Sequence, residues 1–351
     1  MSETENIKIE NEELAPLNVK ERIEKSIREI RKELPCLDLR ENEPMASHCS
    51  FKTGGNVRAF LVPQDINSMS IICSIIKDNM LMPYILGNGT NVVFPDEGCD
   101  ELMVVSTEKL QGMWMLDENL IYAESGVSLS RLAGFAYENS LTGLEFASGI
   151  PGTVGGGTMM NAGAYGGELK DCIDTVVVYY LPEQRLYEMK GEQAQFSYRH
   201  SCFQTLPGSL ILSVVFKLTK GDQEEIASKM KELNERRRDK QPLDLPSAGS
   251  AFKRPEGHYA AALIEEAGLK GFKVGGAEVS QKHAGFIVNT GNATSKDLYE
   301  VMDHVRHEVY EKTKVTLEPE IILIPPEYKL EDNGPKAEKH FVVGGKSFKD
   351  E

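Results

Sequence analysis

Apolar residues along this chain keep two rhythms. Ile23, Ile27 and Ile30 recur at helical spacing inside the mixed-charge stretch "VKERIEKSIREIRKEL" (19–34), which predicts an amphipathic helix packed on the body. The body opens at about residue 46. "RAFLVP" (58–63) and "MPYILG" (82–87) read as strands on either side of a helix at 67–80. "ELMVVS" and "LIYAES" continue the β signal, and a helix follows at 128–140. "DTVVVYYL" and "LILSVVFKLTK" are apolar and β-branched, hence strands.

The pattern changes near Gly221. A charged amphipathic helix (222–240) runs into "QPLDLPSAGS", a loop marked by proline and glycine. "YAAALIEEAGLKG" predicts a short helix stopped by Gly268, and "AGFIVN" a strand. "SKDLYEVMDHVRHEVYEKT" predicts a long helix and "PEIILIP" a closing strand. We therefore expect four segments: an N-terminal extension with one helix (1–45), a first domain (46–220), a smaller α+β domain (221–326) and a polar tail (327–351). Residues 1–18 are acidic and polar, and disorder is expected there.

Bulk properties narrow the chemistry. The 351 residues are 40% hydrophobic and 26% charged, which is ordinary for a globular protein. Neither an apolar run of membrane-spanning length nor a leader-like N-terminus is present, so a cytoplasmic location is expected. A net charge of −15 argues against nucleic acid as a partner. Six scattered cysteines form no C-x-x-C pair, and His304 and His307 sit on a charged helix, so no metal site is expected.

Glycine is where the chemistry starts. "FKTGGN" (51–56), "LGNGTN" (86–91) and "SGIPGTVGGGTMMNAGAYGG" (148–167) all lie in the first domain. "LGNGTN" lacks the third glycine of a dinucleotide fingerprint. Each short loop alone reads more readily as an ordinary tight turn. The long run holds far more glycine than a turn needs, so its backbone must approach something closely. Together the loops suggest an anion cradle built from backbone amides.

Three further stretches carry candidate groups. In "FSYRHSCF", Arg199 lies among Phe196, Tyr198 and Phe203; it is either a shielded partner for a carboxylate or a surface arginine stacked on aromatics. In "PSAGSAFKRPEGHY", Ser250 is a nucleophile, a proton donor or a cap; no G-x-S-x-G supports hydrolase chemistry. Glu318 and Glu320 flank Pro319, giving one buried acid or two exposed ones.

These motifs occur in one order, from "SFKTGGN" through "LGNGTNVVF", "GLEFASGIPGTVGGGTMMNAGAYGGELKD", "YRHSCF", "PSAGSAFKRPEGHYAAALIEEAGLKG" and "GGAEVSQKHAGFIVN" to "LEPE". Together they resemble the UDP-N-acetylenolpyruvoylglucosamine reductases, in the shorter of the family's two types, over roughly residues 46–325. The resemblance implies an α+β fold: a vanillyl-alcohol-oxidase-type (PCMH-type) FAD-binding unit of two subdomains, followed by a C-terminal α+β substrate-binding domain. It implies noncovalent FAD, NADPH as reductant, and reduction of the enolpyruvyl ether of UDP-N-acetyl-3-O-(1-carboxyvinyl)-glucosamine to UDP-N-acetylmuramate for peptidoglycan precursors. Hydride from flavin N5 would leave an enolate-like dianion on the substrate. By family motif Arg199 faces that charge, Glu320 partners Arg199, and Ser250 gives the proton, assisted by Lys240. An ionised Glu320 would repel the dianion, so it is expected to be protonated or tightly paired.

The same resemblance turns the glycine loops into cofactor contacts: Gly54 and Gly55; Gly87, Asn88, Gly89, Thr90 and Asn91; then Gly149, Ile150, Gly152, Thr153, Gly155 and Gly156. Gly149 to Gly156 would lie along diphosphate and flavin, so bulk at Gly155 is expected to lower flavin occupancy before it harms the fold. Asn161, Tyr165, Lys240 and Arg254 would face the UDP-sugar. Thr90, Cys49 and Gly157 depart from the family's usual residues. The oligomeric state stays open. Two other readings share the loops: another flavin oxidase, and a non-catalytic protein that keeps the fold.

Overall fold

The computed structural model describes residues 17–324 and the backbone of two short strands, Val342–Val343 and Lys346–Ser347. The acidic stretch at 1–16 and most of the tail lie outside the described residues, and with them most of the expectation of N-terminal disorder.

The first unit begins with α1 (Val19–Glu33), capped by Asn18 in a reciprocal box with Glu21. Its Ile23, Ile27 and Ile30 are buried against Met69, Ile72 and Ile76 of α2 (Ile66–Asp78). Around them lie β1 (Asp38–Pro44), β2 (Asn56–Val62), β3 (Tyr84–Leu86), β4 (Val92–Val93) and β5 (Cys99–Ser106). The sheet order is β1-β2-β5-β3, with β5 parallel to both β2 and β3. Strand β2 is buried on both faces, which is why it reads as a continuous apolar run. Strand β1, "DLRENEP", lies within the stretch expected to hold only a helix. It is a polar edge strand paired to β2 on one side, so neither apolar alternation nor β-branching marks it.

The second unit holds β6 (Met113–Asp117), β7 (Leu120–Glu124), α3 (Leu129–Glu138), β8 (Leu141–Thr142), α4 (Val154–Met159), β9 (Gly163–Ala164), β10 (Gly167–Glu168), β11 (Ile173–Tyr180), β12 (Arg185–Lys190), β13 (Ser209–Lys217) and β14 (Thr219–Lys220). Its main sheet is antiparallel, in the order β12-β11-β13-β7-β6. Helix α4 is "VGGGTM", a poor helix by propensity. It forms because Thr153 caps it and because it can press onto the sheet: a Cβ on Gly155 would stand 2.8 Å from Ser125 Cβ.

The third unit comprises α5 (Gln223–Lys240), α6 (Ala260–Glu266), β15 (Lys273–Val274), β16 (Ala277–Val279), β17 (Ile287–Asn289), α7 (Ser295–Thr313) and β18 (Ile322–Leu323). Strands β15, β16 and β17 form an antiparallel sheet packed on α7. This unit docks onto the glycine loops of the first. β18 pairs parallel with β4, Asn289 Nδ2 donates to the Phe51 carbonyl, and Asp96 accepts the first amides of α7. No helix among the described residues is long and apolar enough to cross a membrane.

Candidate active site

The three glycine loops converge. Ser50 donates its amide to the Gly89 carbonyl at 3.0 Å, joining the first loop to the second. A Cβ at Gly89 would lie 1.9 Å from the His48 carbonyl, and the residue's φ is +59°, so only glycine fits. Thr90 Oγ1 reaches the Pro151 carbonyl at 3.4 Å, joining the second loop to the third. Among the described residues, the amides of Gly54, Asn88, Gly89, Thr90, Gly149 and Gly152 donate to no protein acceptor. The buried hydroxyls of Thr53 and Ser125 have no partner either. Open donors are costly where they are buried, as at Thr53, Gly89 and Ser125, and here they cluster with the open amides of the touching loops. That arrangement fits an elongated polar ligand with phosphate, as FAD is.

Other members of the expected cofactor set are committed inside the protein. Gly155 donates to the Ser125 carbonyl at 2.8 Å, Gly55 to Pro95 at 2.8 Å, and Ile150 to Ala147 at 3.0 Å. Gly156 donates to the Thr153 hydroxyl at 3.3 Å, which makes Thr153 a helix cap. A Cβ at Gly87 would meet that hydroxyl at 2.6 Å, so Gly87 lets the second and third loops touch. Gly155 is therefore a packing glycine, not one whose amide faces a ligand, and bulk there strikes the sheet first.

Beside the loops stands an ion pair. Arg199 Nε donates to Glu320 Oε1 at 2.5 Å, and its Nη2 donates to the Gly163 carbonyl at 3.1 Å. Arg199 has φ of +53°, a strained setting for a non-glycine residue. The Glu320 side chain is 10% exposed, whereas Glu318 is 70% exposed and pairs with Lys253. Burial raises the Glu320 carboxyl above its ordinary value, with the Arg199 charge and hydrogen bond opposing. The 2.5 Å contact pairs Glu320 tightly with Arg199, while its burial favours the protonated form, so both expected conditions act on this acid.

Backbone pairing brings Ser250 to the same place. Glu320 donates its amide to the Ala251 carbonyl at 2.9 Å, and Ala251 donates to Gly285 at 2.8 Å. Ser250 itself bridges Phe286 and is exposed, with no hydrogen bond from its hydroxyl among the described residues. Asn91 Nδ2 donates to the Glu320 carbonyl at 3.0 Å, which ties the second glycine loop to the acid. Asn91 is therefore a support for Glu320, a role its place in a glycine loop did not suggest.

The expected substrate contacts divide. Asn161 is fully buried; its amide donates to Ser197 and Glu168, and its oxygen accepts from Lys170. Its side-chain polar atoms are all engaged inside the fold, where they hold the Arg199 loop to the turn after α4. Tyr165 is 38% exposed, under the Arg236 guanidinium. Arg254 donates its amide to the Tyr198 hydroxyl at 3.2 Å and stacks over Tyr259. It lines a cavity of ≈ 530 Å³ with Tyr198, Lys253, His258 and Glu318. Lys240 is exposed at the end of α5, with no hydrogen bond to Ser250 among the described residues. Missed altogether was Arg237, whose Nη1 donates to the Gly149 carbonyl at 2.5 Å. Nothing in "NERRRDK" separates it from its neighbours.

Comparison with known proteins agrees with this geometry. Residues 241–324 match the family model described as UDP-N-acetylenolpyruvoylglucosamine reductase, C-terminal domain, and residues 57–182 match the one described as FAD binding domain. The chain is 43% identical over 286 residues to the UDP-N-acetylenolpyruvoylglucosamine reductase of Lachnoclostridium phytofermentans, covering 81% of this chain and 92% of the relative. It is 45% identical over 284 residues to the one from Caldanaerobacter subterraneus, covering 81% and 92%. The crystal structure of the Thermus caldophilus reductase aligns with a TM-score of 0.69 at 32% identity, covering 82% of this chain and 99% of that one. The fold is accordingly the expected α+β one, a PCMH-type FAD-binding unit followed by the family's C-terminal domain.

Proposed function

The chain belongs to the UDP-N-acetylenolpyruvoylglucosamine reductase family, and from that premise we propose that it uses NADPH to reduce the enolpyruvyl ether of UDP-N-acetyl-3-O-(1-carboxyvinyl)-glucosamine to UDP-N-acetylmuramate, in the cytoplasmic synthesis of peptidoglycan precursors. The observation that carries this reading is the largely buried Arg199–Glu320 pair, tied to the second glycine loop through Asn91 and to the Ser250 segment through the Ala251 carbonyl.

Gly54, Asn88, Gly89, Thr90, Gly149 and Gly152 would hold FAD through their amides. When bound, FAD supplies the hydride-transfer chemistry between NADPH and the substrate alkene. Arg199 would stabilise, from a fixed position, the charge that develops on the substrate carboxylate. Glu320 and the Gly163 carbonyl fix the arginine's orientation, so little reorganisation accompanies the reaction. Ser250 Oγ would give its proton to the remaining carbon and, being exposed, regain one from water. Lys240 and Arg254 complete the proposed substrate side. On this reading residues 46–220 form the FAD-binding domain and 221–326 the substrate-binding domain.

The test is spectroscopic. Purified protein should be yellow, bleach on addition of NADPH, and recover its colour when the UDP-enolpyruvyl sugar is added without oxygen. A colourless protein, or a reduced flavin that the sugar leaves reduced while oxygen reoxidises it rapidly, overturns the assignment.

A further inference from the structure

Arg237 differs from the arginines beside it. Arg236 and Arg238 are exposed, and Arg236 has Glu232 at 3.5 Å. Arg237 is half-buried, gripping the Gly149 carbonyl, with the Tyr165 side chain as a second hydrogen-bond partner. No carboxylate among the described residues pairs with it. Burial lowers its pKa from the ordinary arginine value, with Tyr165 opposing. A guanidinium does not shed its proton, so a cation stands here without an anion. Such a charge is costly, and the C-terminal end of α5 offsets only part of the cost.

The loop it grips has its own vacant donors, the amides of Gly149 and Gly152. The close approach is also built in. A Cβ at Gly149 would lie 2.4 Å from Asn234 Oδ1 and 3.2 Å from Arg237 Cδ. Asn234 Nδ2 in turn donates to Ser148 Oγ at 3.1 Å, fastening α5 over the loop. A cation and two open amides therefore meet on one short segment, and the bare backbone at residue 149 leaves room for Asn234 to fasten the helix above them.

We propose that Arg237, with the amides of Gly149 and Gly152, forms a counter-charge site for a diphosphate. The inference rests on the flavoenzyme reading above, under which two diphosphates come to these loops, that of FAD and that of the UDP-sugar.

The experiment compares Arg237→Met and Arg237→Lys with wild-type holoenzyme. Flavin release on dilution, followed by fluorescence, reads FAD affinity; equilibrium dialysis with UDP reads nucleotide affinity. If the cofactor's diphosphate is the anion, Arg237→Met weakens FAD binding about 10- to 100-fold and leaves UDP affinity within about twofold. If the substrate's diphosphate is the anion, the same factor appears in UDP affinity and the flavin stays bound. Lysine recovers most of the loss in either case, because it restores the charge. Both affinities within about twofold of wild type in Arg237→Met overturn the proposal, whether or not the melting temperature falls. Should the methionine variant not fold, Arg237→Gln, which keeps a polar side chain but removes the charge, must give the same ligand-specific weakening; unchanged affinities there overturn it. A wild type that binds no flavin overturns the parent reading, and this one with it.

Discussion

The two halves of the glycine run 148–157 do different jobs. Gly149 and Gly152 keep their amides open among the described residues. Gly155 and Gly157 close theirs onto Ser125 and Thr153, and their missing side chains make room for Ser125 and Leu169. The same division separates Ser250, whose hydroxyl is free, from Asn161, whose side chain is wholly engaged. What distinguishes a ligand-facing residue from a packing one is therefore not its type or its density in the sequence. It is whether its hydrogen-bonding groups are already used inside the fold.

Substitutions on either side of this division should separate function from stability. The largest effect is expected at Ser250→Ala: turnover falls about 10²- to 10⁴-fold, while NADPH still bleaches the flavin and the melting temperature holds. Persistent turnover would remove Ser250 from the free, working class. Next comes Gly155→Val, whose Cβ strikes Ser125 at 2.8 Å. It should cost about 3 kcal/mol of stability in denaturant titration, with flavin affinity retained in the folded fraction. Flavin loss without destabilisation would put Gly155 back among the ligand contacts. Gly152→Ala, at a φ of +135°, should cost about 1–2 kcal/mol in strain and also weaken FAD binding. Destabilisation alone, with FAD affinity unchanged, would erase the contrast between the two halves.

The smallest effect concerns Glu320. Its folded-state pKa is raised from 4.5 by burial, against the pull of Arg199. The folded protein thus holds this proton more tightly than the unfolded chain. The stability that follows is full below the unfolded value and is lost as pH rises through the raised one. Wild type should lose ground to Glu320→Gln across that window in melting experiments. Parallel curves would show that Arg199 cancels the effect of burial.

Much of the fold was legible because burial dictates periodicity. The helices α1, α2, α5 and α7 and the strands β2, β11 and β13 all carry their expected rhythm. Strand β1 did not, since a polar edge strand needs only one neighbour and a backbone. Helix α4 did not, because its glycines oppose a helix until the sheet arrives to pack against them. In the site, Arg199, Ser250 and Glu320 could be picked out by ordered motifs, whereas Arg237 was hidden in a run of three arginines.

By itself the sequence determined most of the helices and strands, that three glycine loops precede the change of pattern near Gly221, and which motifs occur in which order. Those are local properties, written in the spacing of apolar residues and the conformational freedom of glycine. The tertiary structure alone decided that Glu320 is largely buried while Glu318 is exposed, that the Asn161 side chain is engaged inside the fold, and which glycines keep their amides open. Each of these depends on partners distant along the chain: Arg199 for Glu320, Ser197 for Asn161 and Ser125 for Gly155. A hydrogen bond or a desolvated charge is a property of a neighbourhood, and the neighbourhood exists only once the chain has folded.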